Sequence, residues 1–109
     1  ALLLLNETQY VECARTLAQR SMIATDTVEG RVKFLIKSVL CREADAQELA
    51  ILKNAYEEQL KQYIKNSAEA DKLLGVGESK PNEKLNKPEL AALTMVANIV
   101  LNLDEAVTK

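Results

Sequence analysis

Apolar residues along this chain recur at intervals of three and four rather than two, and that period sorts the chain into helices. Val32, Leu35, Ile36, Val39 and Leu40 stand at i, i+3, i+4, i+7 and i+8, the spacing that lines one face of an α-helix. They predict a helix from about Thr27 to Cys41 that tolerates Gly30 and is opened by Asp26, with Glu29 three residues on as in a capping box. Earlier, Tyr10, Ala14, Leu17 and Ala18 keep helical spacing from a cap at Asn6, paired with Gln9, to about Ala24. Later, Leu49, Leu52, Tyr56, Leu60, Tyr63 and Ile64 make a long stripe, capped by Asp45 with Glu48 and running to about Lys65.

Asn66-Ser67 breaks that stripe, and Ser67 is expected to cap a short helix from Ala68 to Leu74 that Gly75 and Gly77 stop. GVGESKPNEKLNK reads as a loop. Pro88 then suits the first position of a last helix, where a missing N–H costs nothing. From Leu90 to Leu103 that helix is apolar on most sides, so it needs cover on most sides and belongs at the centre. No alternating pattern of useful length predicts a strand. The expected fold is all-α: a four- to five-helix, mainly antiparallel bundle with a central apolar C-terminal helix, residues 1–109 forming a single domain.

The end of the last helix, MVANIVLNLDE, sets two asparagines and two carboxylates beside its most apolar residues. Asn98, Asn102 and Glu105 share a face, with Asp104 adjoining it. Two readings of these four residues stand. They form a docking face for a partner, or the amides act as an internal clamp, because a buried amide left without partners costs about 1–3 kcal/mol. The clamp, tying the last helix to a loop or to the opening segment, is the expectation. The carboxylates sit at the negative end of the helix dipole, a mild misfit that a partner would relieve.

Composition narrows the chemistry. At 109 residues and 48% hydrophobic, the chain supports one core, and a domain of that size buries about 65% of its unfolded surface without metal or disulfide staples. Fourteen basic against sixteen acidic residues give a net charge of -2, and no basic stretch interleaved with aromatics points to nucleic acid. The absence of histidine removes the commonest general base and zinc ligand. No metal, catalytic or cofactor-binding residues are assigned. GVGES lacks the Lys-Ser/Thr pair and preceding strand of a phosphate loop. Tyr10, Tyr56 and Tyr63 read as core, and Lys53, Glu57, Glu58, Lys61 and Lys65 as the solvated face of their helix. ALLLL is too short for a membrane span and lacks the flanks of a signal peptide. A start on Ala inside half a helix suggests a piece excised from a longer chain. Cys13 and Cys41 fall about 5 Å apart in height along a helical hairpin. They are expected to remain unpaired small core residues, since a bridge needs Cα atoms about 4.4–6.8 Å apart and helix axes lie about 8–10 Å apart.

Three segments, ALLLLNETQYVECARTLAQR, RVKFLIKSVLCREADAQEL and KPELAALTMVANIVLNLDEAVTK, together resemble the C-terminal region of the planctomycete-specific domain of unknown function, which follows cytochrome c-like domains in large exported proteins. The resemblance spans nearly the whole chain and is most specific at Val96-Ala97-Asn98 and Leu101-Asn102-Leu103-Asp104-Glu105. Four departures mark it. Cys41 stands where an LGR step usually has Gly, Glu43-Ala44 replaces a proline-containing turn, Leu93 replaces a frequent Trp, and Lys87 precedes Pro88 in place of Asp. The resemblance implies export, to the periplasm or beyond, and a multi-domain parent without an established activity. The haem-binding CxxCH signature is missing, so no haem is assigned. The function expected is a non-catalytic helical scaffold or interaction module whose partner is the rest of the parent polypeptide or another protein. The alternative is part of an enzyme domain whose active site, including Asn98, Asn102 and Glu105, is completed by an N-terminal region.

Overall fold

A computed structural model describes the backbone over residues 7–75 and 84–107 and the side chains over residues 10–75 and 84–103. The chain forms five helices in order: α1 (Glu7–Ala24), α2 (Val28–Leu40), α3 (Ala46–Lys65), α4 (Ser67–Leu74) and α5 (Lys87–Val107). Among the described residues there are no strands. The loop read from GVGES onward lies mostly outside them.

The apolar pattern of α5 has the consequence expected of it. Leu90, Ala91, Ala92, Leu93, Thr94, Val96, Ala97 and Val100 are all buried, which takes in most sides of the helix, and α5 packs against each of the other four. Small residues make this feasible, because three alanines among the buried positions let neighbouring helices approach closely. α1 answers with a small stripe of its own, Ala14, Ala18 and Ser21, each fully buried. α2 buries Val32, Leu35 and Ile36 as its spacing predicts. α3 buries Leu52, Tyr56 and Tyr63, but Ile64, counted in its stripe, is 64% exposed. Ile64 lies one step past Tyr63, and a turn of 3.6 residues carries it round to the solvent side.

The direction of the helices follows from one side chain. Arg31, near the start of α2, donates from Nε to the carbonyl of Thr25 just beyond α1, at 2.9 Å, and lies 3.7 Å from Glu89 in the first turn of α5. The C-terminal end of α1 therefore meets the start of α5, and the two helices, packed along each other, run antiparallel.

The helix ends correct several local expectations. α2 is capped by Thr27, whose hydroxyl accepts from the Gly30 N–H at 3.0 Å, rather than by Asp26. A Cβ on Gly30 would meet the Thr25 and Thr27 hydroxyl oxygens at 2.6 and 2.8 Å, so the glycine makes room for the cap. Asp45 and Glu48 form the predicted capping box reciprocally. Ser67 is the first residue of α4 rather than its cap; Asn66 precedes it, ends α3 and offers no side-chain bond. Pro88 is the second residue of α5, and the cap is Asn86, whose Oδ1 accepts from the Glu89 N–H at 3.0 Å. Both assignments still put proline in the first turn, where its missing N–H has no intrahelical acceptor to lose.

The turn between α2 and α3 is stapled at its surface. Arg42 grips Glu48 with two donors at 2.7 and 2.5 Å, and Lys37 reaches Glu43 at 2.8 Å. The Arg42 hydrogen bonds, helped by the Asp45 N–H, hold the Glu48 carboxyl down to about 2. Exposed pairs of this kind fix the path of a turn more than they add stability.

Cys13 and Cys41 are both free thiols, and both are exposed rather than core residues. Cys13 falls on the outer side of α1, one residue before the buried Ala14. Cys41 ends α2 in the left-handed region, at φ 57° and ψ 33°, the conformation that favours glycine at a helix end. A residue with a Cβ pays about 1–2 kcal/mol there. Cys41→Gly is expected to raise stability by up to about 1 kcal/mol, since relief of that strain outweighs the extra entropy glycine brings to the unfolded chain. Urea unfolding at a lower midpoint would contradict it.

Burial along α5 separates two leucines. Leu93 is fully buried, whereas Leu101 is only partly covered. Leu93→Ala should cost about 2–5 kcal/mol, and Leu101→Ala about 1 kcal/mol. Equal losses in denaturant titrations would mean that the core extends past Val100.

Candidate functional site

The backbone of α5 is continuous through Asn98, Asn102, Asp104 and Glu105, so the helical face read from the spacing of Asn98, Asn102 and Glu105 exists, with the Asp104 position off that face. What differs is burial. Asn98 is half-buried, Asn102 is exposed, and the side chains of Asp104 and Glu105 lie outside the described residues. The Asn102 amide donates from Nδ2 to the Asn98 carbonyl at 3.0 Å, one turn back on its own helix. This bond stays within α5, where the expectation was a tie to a loop or to the opening segment. The reason is where the core stops. Val100 is the last fully buried residue among the described side chains of α5, and two residues further on an exposed amide satisfies itself with water and its own helix.

Two aliphatic side chains flank Asn102. Ile99 is 38% exposed and Leu103 41% exposed, at i, i+3 and i+4 with the amide between them. The outward side of this stretch is thus Ile99, Asn102 and Leu103, with the half-buried Met95 one turn before. Periodicity did not single out Ile99 or Leu103, because in a helix apolar all round no residue is marked as the one left uncovered.

A second constellation sits at the opposite end of α5 and was not read from the sequence. Arg31 gathers the Thr25 carbonyl and the Glu89 carboxylate, and Tyr56 of α3, 2% exposed, lies within the influence of both charges. Burial raises the Tyr56 phenol above the ordinary tyrosine range; the Glu89 charge raises it further and the Arg31 charge opposes. Tyr63, on the same helix, is raised by burial and by Glu69. The node joins residues of α2, α3 and α5 to the end of α1. Its chemistry is that of a fastener: a guanidinium engaged with a carbonyl and a carboxylate, beside a phenol kept protonated. A sequence signal existed in Arg31 beside the apolar stripe of α2, but its partners are 6 and 58 residues away.

The interior holds one more cation. Arg15 is 1% exposed and donates from Nη1 to the Leu74 carbonyl at 2.6 Å, at the end of α4. Buried hydroxyls turn inward along their own helices, Ser21 to the Ala18 carbonyl and Thr94 to the Leu90 carbonyl, each at 2.7 Å. Among the described residues the buried Gln19 Nε2 has no hydrogen-bond partner.

Open grooves run along the surface of α3. One is lined by Ala50, Ile51, Lys53, Asn54 and Glu57, and another by Gln59, Gln62, Tyr63, Asn66 and Glu69 at the junction with α4. Neither includes Asn98 or Asn102. Among the described residues no three acidic or thiol side chains converge as metal ligands, and no helix is long and apolar enough to cross a membrane. The class that the fold defines is an all-α five-helix bundle. Comparison with protein-family models, with curated proteins and with solved structures finds no match.

The opposed influences on Tyr56 yield a test of the node. Because its phenol is raised in the folded state, the stability it contributes is present below the ordinary tyrosine range and is lost as pH climbs through the raised value. Glu89→Gln should lower the pH at which Tyr56 ionises, and Arg31→Met should raise it, read by ultraviolet difference titration. Arg31→Met should also cost about 1–3 kcal/mol, by leaving the Thr25 carbonyl and Glu89 without their donor. Shifts of the same sign in both variants would show that their charges do not act on Tyr56.

Proposed function

We propose that this chain is a non-catalytic helical scaffold or interaction module, and that the outward side of α5 beyond the core is where it docks onto an adjoining segment of its parent polypeptide. The single observation that carries the reading is the trio Ile99, Asn102 and Leu103, turned to solvent on the side of α5 that the other helices leave uncovered. Exposed aliphatics four residues apart offer apolar area on a rigid support, and the amide between them gives a polar contact that sets register. Asp104 and Glu105 follow in sequence at the negative end of the helix dipole, where basic groups on a partner would relieve their repulsion. The polar groups described elsewhere act on the fold itself: Arg15, Arg31, Ser21 and Thr94 each bond to a carbonyl within the bundle. Export and a multi-domain parent belong to the same reading, on the strength of the resemblance in the three sequence segments.

The experiment is a double substitution, Ile99→Glu with Leu103→Glu, in a capture assay against the remainder of the parent polypeptide. Both positions are surface-exposed, so helix content and melting temperature should stay close to wild type. Capture should fall by at least about tenfold, the effect of losing anchor residues from an interface. Wild-type capture by the folded double variant would overturn the reading.

A further inference from the structure

We infer that α4 is a latched strap, a helix that leaves the bundle as a unit while the other four stay folded, with Arg15 as its latch. α4 has eight residues, and isolated helices shorter than about 12–15 residues are marginal in water. Its N-cap, Asn66, supplies no side-chain hydrogen bond, so the attachments of α4 must hold it in place. Among the described residues they are these: Ala70 and Leu74 are buried, Leu73 partly so, and Asp71 faces Lys87 across an exposed pair at 3.4 Å. To these is added the buried bond from Arg15 to the Leu74 carbonyl at 2.6 Å.

The rest of the fold is closed without it. α5 packs against α1, α2 and α3, α1 packs against α2, and α2 against α3, whereas the broader helix seams of α4 are with α3 and α5. A joint is present as well. The single residue Asn66, at φ −132° and ψ 80°, separates α3 from α4 and is itself exposed, so rotation there carries α4 away without bending either helix. The latch suits release. A guanidinium bonding the last carbonyl of a helix satisfies a group with no intrahelical partner, and on opening both regain water, so the contact is strong when closed and not prohibitive to break.

Native-state hydrogen exchange on the full chain tests this residue by residue. The hydrogen-bonded amides of α4, including that of Gly75 to the Asp71 carbonyl, should exchange at least about tenfold faster than the core amides of α5, and with weaker dependence on denaturant, as a sub-global opening does. Arg15→Met should speed α4 exchange by a further factor of about ten or more, with a smaller change in α5, because a hydrogen bond from a charged donor is removed. Ala68→Gly, at an exposed site inside α4, should speed α4 exchange about fivefold and leave α5 unchanged. Identical rates and denaturant dependence in α4 and α5 would overturn the strap, as would equal acceleration of both by Ala68→Gly. Failure of Arg15→Met to fold, or equal acceleration of both helices by it, would make Arg15 part of the core and overturn the latch.

Discussion

A helix that is apolar on most sides has to be covered on most sides, and the rest of this fold is arranged to meet that demand. α5 alone carries more fully buried residues than any other described element, and each of the other four helices supplies a wall. The cover has a definite extent. Among the described side chains it begins at Leu90, one turn inside the Asn86 cap, and Val100 is the last that is fully buried. Where it is present, alanines and serine bring helices close; where it ends, aliphatic side chains and an amide face water. The same constraint therefore yields both the core and the surface from which a function is proposed.

Enclosing one helix with four others creates a second demand, since carbonyls at helix ends, which have no intrahelical partner, must find donors where they meet neighbouring helices. Two arginines answer it. Arg31 ties the end of α1 to the start of α5 through a carbonyl and a carboxylate, and Arg15 bonds the last carbonyl of α4 from within the core. A long side chain with several donors is suited to both sites, because its methylene stem lies along apolar neighbours while its head reaches a carbonyl that no helix can satisfy. The two cations differ in consequence. Arg31 joins elements that also pack broadly, whereas Arg15 holds the end of an eight-residue helix.

The Asn98–Asn102 pair shows how position along an element changes the meaning of a residue. Both lie on one face of α5, yet one is half-buried and the other exposed, and the amide of the second turns back to the carbonyl of the first. A reading that treats the whole helix as buried expects a clamp; a helix with one side uncovered near Val100 leaves a surface amide beside two aliphatics. Cys41 makes a related point about backbone rather than burial. It takes a left-handed end of α2, where glycine fits best.

The sequence alone determined the helical class, the five elements to within a few residues, the central place of the last helix and the capping box of α3. These follow from periodicity and from hydrogen bonds that span three or four residues, which are local and act in any context. Only the tertiary structure decided which apolar residues stay outside, as for Ile64, Ile99 and Leu103, and which charged residues go inside, as for Arg15. It also decided between Asp26 and Thr27 as the cap of α2, where both residue types suit the role and the close packing of Thr25 and Thr27 over Gly30 selects one. The physical reason is common to all of them. Periodicity gives the direction in which a side chain points, but its surroundings depend on how far a neighbouring helix extends and which distant carbonyl it brings, and those partners are set by the packing of the whole chain.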